Sequence, residues 1–329
     1  MKHNIWRKES VAYVIGIVLF GVVMWKILGD RTHVELIRQI SFSDLAISFL
    51  IAMCLFVNNG AIIAFLTAQQ YHTTIKIIDM VLLPFMMHLW SFIIPFRGGL
   101  LFSAFFLKTK YRMKGSQSIA IGMYTIYINL ILTGCCGIYF VIKNDLLFSL
   151  WTVCSLLCLF SPVVIWIIKH ILGGLEFQNP SILNNLKNII ASVNESSRKL
   201  LLNVKVGVIV FALTFFNLIL YIFFLYWITS ILHFASSLDK IVMFALMMRL
   251  STFVRVVPGN MGIQEVFSGG AYYLVGGSIN DGLVIALFIR FLSLVLTFSL
   301  GTVGTMISMR HFNMRGAKEM WQALTRVHP

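Results

Sequence analysis

The chain has 329 residues, of which 59% are hydrophobic and 12% charged, with a formal charge of +14 and a mean hydropathy of +0.88. Soluble domains run near half apolar and a quarter charged, so this composition excludes a soluble globular class and gives an integral membrane protein. The apolar residues form long runs rather than ten-residue alternation, which excludes a β-barrel. The basic residues cluster between those runs, which fits orientation by the positive-inside effect and contact with anionic lipid rather than nucleic acid.

In chain order, Lys2, Arg7 and Lys8 precede an apolar run at 11–28. At about 1.5 Å per residue that run can cross a bilayer, and it has no small-residue cleavage site, so a retained first span is expected and not a signal peptide. An amphipathic stretch through Val34, Leu36, Ile37 and Ile40 is expected at an interface. Ser43 or Asp44 is expected to cap the next span, 45–68. An apolar stretch from Ile77 stops at Pro95, and a shorter one, 100–107, resumes it and ends in KTKYRMK. Spans follow at 116–142 and 146–168, and then the longest polar segment, about 170–205. There Ile182, Leu186, Ile189 and Val193 recur at helical spacing, as in an amphipathic helix resting on the membrane. A span at 206–232 leads to 241–257, which runs into a second turn, and 263–275 leaves it. The last span, 283–309, precedes a basic tail with Arg310, Arg315, Lys318 and Arg326. The five cysteines fall inside predicted spans, and no His or acidic neighbour joins Cys154 and Cys158, so no metal site is expected.

If every apolar segment crossed the membrane, the basic stretches 108–114, 187–205 and 310–326 could not all share a side with the basic N-terminus. If 77–107 and 241–277 instead enter and return on one side, all of them fall in the cytoplasm, and the outer links are short and nearly neutral. The arm at 100–107 is also too short to span. The expected architecture is a single all-α polytopic transmembrane domain over 1–329. It has about six full spans and two opposed re-entrant helical hairpins, an inverted repeat. Both termini are expected in the cytoplasm, and the membrane is expected to be the cell (inner or plasma) membrane.

The hairpin tips are IIPFRGG, residues 93–99, and VVPGNMG, residues 256–262. Broken backbone at membrane depth is tolerated only where protein or a wet cavity covers it. The second arm of each hairpin starts at its tip with free N–H groups, an anion site for which a phosphate is the expected ligand. Gly98 and Gly99 belong to the first tip, and Asn260, Gly262 and Gln264 to the second. Ionisable residues at this depth are costly and mark function. Arg97 adds a fixed positive charge to the first tip, and Glu265 is the acidic residue expected deep in the membrane. Glu265 needs a cation there or must neutralise; otherwise it serves only to favour its helix start. Arg255 is the nearest partner in sequence, with Arg249 and Arg290 as alternatives that sequence does not rank, and all three are candidates to line the cavity. Asn58, Asn59, Asn129 and Asn217 read as interhelical hydrogen-bond partners rather than ligands.

FIIPFRGGLLFSAFFLKTKYRMKGSQSIA, residues 92–120, resembles the turn, short helix and basic loop of the lysylphosphatidylglycerol synthase transmembrane, or flippase-like, family. VRVVPGNMGIQEVF, residues 254–267, resembles the second signature of that family, a proline followed by a glycine-rich turn and Gly-x-x-Glu. The resemblance covers roughly residues 11–309. It implies a membrane lipid as substrate: an anionic lipid, phospholipid or polyprenyl-phosphate-linked, moved between leaflets through a cavity around both hairpins. With only about twenty residues after the last span, the family's soluble aminoacyl-transferase domain is not expected. No cofactor and no ATP motif is read, so movement would run downhill or with an ion; a homo-oligomer and envelope-biosynthesis partners are left open. The rival readings are a membrane-embedded transferase and an accessory subunit of envelope lipid or glycan biosynthesis. A transferase would want paired carboxylates, whereas the twelve acidic residues are scattered singly.

Overall fold

Lipid offers no hydrogen bonds to a peptide backbone, so an apolar run inside it must satisfy its own N–H and C=O groups, which a helix does. Among the described residues four such helices are long and apolar enough to cross a bilayer, Phe42–Gln69, Gly115–Tyr139, Val204–Ile231 and Ile279–His311. The computed structural model describes residues 14, 16–27, 29, 35, 36, 38–94, 98–143, 203–234, 236–251 and 257–312. The expected span at 146–168, residues 170–202 of the polar segment, the tail beyond 312, Cys154, Cys158, Arg97 and Arg255 lie outside them.

In chain order the helices are α1 Gly16–Ile27, α2 Phe42–Tyr71, α3 Ile77–Ile93, α4 Gly98–Tyr111, α5 Gly115–Lys143 and α6 Val204–Ile231. Then come α7 Leu238–Ser251, a 3-10 turn Pro258–Asn260, α8 Ile263–Leu274, α9 Ile279–Leu296, a π-helical turn Thr297–Gly301 and α10 Thr302–His311. Every regular element among the described residues is helical, and the protein is an all-α polytopic membrane protein. One local expectation is corrected: Ser41, not Ser43 or Asp44, caps α2, its Oγ accepting the Asp44 N–H at 3.1 Å.

The chain divides into two compact units. The first comprises Met1–Asn59, Val81–Gly99 and Asn217–Met306. Within it glycines set the helix spacing, as small residues do in membranes. A Cβ at Gly282 of α9 would stand 2.6 Å from Ser268 O of α8, and Ser268 Oγ donates to Gly282 O at 2.8 Å. A Cβ at Gly301 would stand 2.8 Å from Phe85 O of α3. Tyr272 near the end of α8 meets Ser236, just before α7, through their hydroxyls at 2.6 Å. At the first tip, Gly99 N–H donates to Ser91 Oγ at 3.1 Å. A methyl at Gly99 would meet Met87 O at 2.2 Å, and a backbone carbonyl in a helix cannot step aside. Gly99→Ala is therefore expected to cost about 1–3 kcal/mol. Gly115→Ala, with nothing within 4 Å of its Cβ, is expected to be near neutral. Thermal unfolding of the two variants in detergent checks this; equal melting temperatures would refute the close approach at Gly99.

The second unit comprises Gly60–Met80, Leu100–Phe216 and Ile307–Pro329. Its polar anchor is Asp79 in the first turn of α3, 5% exposed. Lys110 Nζ reaches Asp79 Oδ1 at 2.7 Å, and Tyr111 OH donates to Asp79 Oδ2. Tyr111 OH also accepts the Lys76 N–H at 3.0 Å. The last turn of α4 is thereby tied to the first turn of α3. Asp79 is a buried carboxylate that no motif in the sequence marks. Asn129 Nδ2 donates to Thr125 O within α5.

Candidate functional site

The second turn is a broken helix. Gly259, Asn260 and Gly262 all take positive φ, +58°, +56° and +77°, a region that glycine enters freely and asparagine tolerates. Carbonyls in such a turn lose their helical donors and, where buried from water, need others. Arg290, midway along α9 and 4% exposed, supplies them. Its Nη1 donates to Gly259 O at 2.5 Å and its Nη2 to Asn260 O at 3.1 Å. Nη2 also reaches Gln264 Oε1 at 3.3 Å, and Nε donates to Glu265 Oε1 at 2.6 Å. The rigid guanidinium fork serves four acceptors at once, which an ammonium could not do in this geometry.

Glu265 lies in the first turn of α8 and is fully buried. Its pairing with Arg290 matches the two charges where a lone carboxylate would be strongly penalised. Asn260 braces the turn from the other side, its Nδ2 donating to Ser251 O at 3.3 Å. Two buried acceptors in this cluster, Glu265 Oε2 and Asn260 Oδ1, have no hydrogen-bond partner among the described residues.

The turn is seated on the end of α3. A Cβ at Gly259 would fall 2.1 Å from the ring of Phe92, in the last turn of α3. The second turn and the last turn of α3 are thus neighbours. Beside them lies a cavity of about 150 Å³, walled by Phe56 of α2, His88 of α3, Phe224 of α6, Gln264 of α8, and Arg290 and Ser293 of α9. His88 stands edge-on between Phe56 and Phe92, each 5.4 Å away. An apolar cavity with a few convergent polar groups is the ordinary form of a ligand site.

The candidates read from sequence divide clearly. Asn260, Gln264, Glu265 and Arg290 come together. Arg290, and not Arg249, is the described partner of Glu265, and Arg255 lies outside the described residues. Arg249 belongs to another cluster: its Nη2 donates to Asn217 Oδ1 at 2.7 Å, and its guanidinium lies 5.7 Å from the Tyr221 ring. Asn217 Nδ2 in turn donates to Asn58 Oδ1 at 3.3 Å, the interhelical bond expected of both asparagines. Gly98 and Gly262 are packing glycines: Cβ atoms there would stand 2.3 Å from Ile94 Cβ and 2.2 Å from Leu19 Cβ. The Gly99 N–H, expected to await an anion, is already taken by Ser91. His88 and the Gly259 carbonyl were missed. A histidine inside the apolar run PFMMHLWSF was the available signal for the first; nothing in a one-dimensional sequence marks the second.

A family model described as the lysylphosphatidylglycerol synthase TM region matches residues 13–301. Neither a curated protein nor a solved structure matches the chain. Because the family match runs from the first helix to the π-helical turn, over both breaks and the Arg290 cluster, the chain belongs to the lysylphosphatidylglycerol synthase transmembrane-region family.

Proposed function

We propose that this protein moves an anionic lipid, a phospholipid or a polyprenyl-phosphate-linked lipid, between membrane leaflets, without altering the headgroup. The observation that carries the reading is the Arg290–Glu265 pair, which joins a cavity wall to a helix broken inside the membrane. An entering phosphate competes with Glu265 for the guanidinium. Arg290 then exchanges one anion for another and is itself never left as an orphaned buried cation, which would cost several kcal/mol.

The architecture goes with this: about six full spans and two opposed re-entrant hairpins, 77–107 and 241–277. Helices α3, α4, α7 and α8 have 17, 14, 14 and 12 residues. At about 1.5 Å per residue none reaches the roughly 30 Å of the hydrocarbon core. The Asp79–Lys110 and Ser236–Tyr272 contacts each tie the start of a hairpin to its end, which supports entry and return on one side. The basic loop after α4 then lies in the cytoplasm, with both termini, and the membrane is the cell membrane. Lys110 is itself paired, so the exposed Lys108 is the better reporter. Lys108→Cys in a cysteine-free background is expected to resist an impermeant maleimide in intact cells and to react after permeabilisation. Labelling from outside would break the hairpin topology.

The function is tested in proteoliposomes carrying a fluorescent short-chain phosphatidylglycerol. Protein is expected to bring inner-leaflet probe into reach of an external quencher, with the headgroup unchanged on chromatography. No movement above protein-free vesicles would end the transport reading, and a converted headgroup would favour a transferase.

A further inference from the structure

Glu265 spends only one of its two oxygens on Arg290. Oε2 is buried and has no partner among the described residues, and neither has Oδ1 of Asn260, whose main-chain oxygen is held by the same guanidinium. Unsatisfied buried acceptors are rare in native proteins, and those that occur point to an absent donor, water or ion. This cluster has two spare acceptors, and what it lacks is a donor. A hard metal cation would want six or more oxygens. Here the Gly259 and Asn260 carbonyls are already engaged, and the described residues hold no group of three metal-ligating side chains.

We infer that Glu265 carries a proton whose uptake is coupled to the binding of an anionic lipid at Arg290. The inference rests on the transport reading above. When the lipid phosphate takes the Arg290 Nε–H, Glu265 loses its counter-charge, and a hydronium proton from bulk solution forms an O–H bond at Oε2. The pair begins at net zero, and the protonated site with its phosphate also ends at net zero. The new hydroxyl is a donor within a cluster that holds a second spare acceptor on Asn260. Each event favours the other, because protonation frees the arginine and the phosphate frees the carboxylate, so lipid and proton bind with positive coupling. Among the described residues the charged and titratable groups facing this cluster are Arg290 on α9 and His88 on α3, which lines the same cavity. Arg249 on α7 is turned to Asn217 and Tyr221, and α1 presents Leu19 and Phe20 to Gly262.

The test uses the full chain in weakly buffered detergent solution with a pH-indicating dye. The probe is a water-soluble short-chain phosphatidylglycerol, whose diester phosphate does not titrate near neutrality. Wild-type protein is expected to take up close to one proton per lipid bound, with affinity rising about tenfold for each pH unit lowered where Glu265 is ionised in the free protein. Glu265→Gln is expected to bind lipid with no proton uptake and a flat pH profile, and His88→Gln is expected to keep the uptake. Lipid binding by wild-type protein without proton uptake, or binding that instead requires Na⁺, would overturn the coupling and leave the transport reading standing. Uptake lost in His88→Gln and kept in Glu265→Gln would move the proton to His88 and overturn it as well. Failure of any anionic lipid to bind would overturn both. If Glu265→Gln does not fold, the wild-type proton count and pH slope decide alone.

Discussion

Arg290→Ala is expected to leave little folded protein, with a loss of about 3–5 kcal/mol, the size seen when one member of a buried ion pair is removed. The substitution strands the Glu265 carboxylate, fully buried, and takes the donors from Gly259 O and Asn260 O in the same step. Arg290→Lys is expected to recover part of the stability. An ammonium restores the charge but cannot reach the turn carbonyls, Gln264 and Glu265 with one rigid fork. Arg290→Met with Glu265→Met separates the two roles. That pair removes both charges and fills the space with apolar atoms, so what remains of the loss reports the orphaned carbonyls, at about 1–3 kcal/mol each. Heat-challenged size-exclusion chromatography of the variants gives the order: wild type, then the Lys and double-Met variants, then Ala. Wild-type yield and melting of Arg290→Ala would show that the arginine braces nothing, and would return it to the status of a free ligand group.

Asp79→Ala is expected to have the second largest effect. It leaves Lys110 without its carboxylate and frees the Tyr111 hydroxyl, both in the last turn of α4. Lys110 has a long stem that packs on the Phe106 ring, its ammonium 5.4 Å from the centroid, and it can snorkel toward water. The loss therefore falls near the lower end of the about 3–5 kcal/mol for a broken buried pair. Asp79→Leu with Lys110→Met is expected to be more stable than Asp79→Ala, since it leaves no charge stranded. Under limited proteolysis Asp79→Ala is expected to be cut faster at the links 72–76 and 112–114, while wild type resists. Unchanged melting and unchanged cutting would mean that the start of α3 and the end of α4 are held by something other than this contact.

Hydropathy is a one-dimensional quantity, and where lipid is the solvent it decides most of the secondary structure, because a segment that long and that apolar has only the helix open to it. Hence a span read at 116–142 is the helix Gly115–Lys143, one read at 206–232 is Val204–Ile231, and the glycine- and proline-marked tips fall where the helices break. The sequence also marked Glu265 as an acid at depth that needs a cation, must neutralise, or only favours its helix start. It could not name the cation. Arg255 stands ten positions away along the chain, but the bond is made by Arg290, twenty-five positions away on the next helix. Arg249 meets Asn217, and Asn217 meets Asn58 from 159 positions off. Asp79, scanned as one more scattered acid, finds Lys110 across thirty-one. Such pairings follow from which helices lie side by side and how closely. The spacing rests on glycines such as Gly282 against Ser268 and Gly259 against Phe92, where any Cβ would force the elements apart. Helix formation in a membrane is settled within each segment, so the sequence determined it. Charge pairing at the site is settled between segments, by packing distance, so only the tertiary structure decided it.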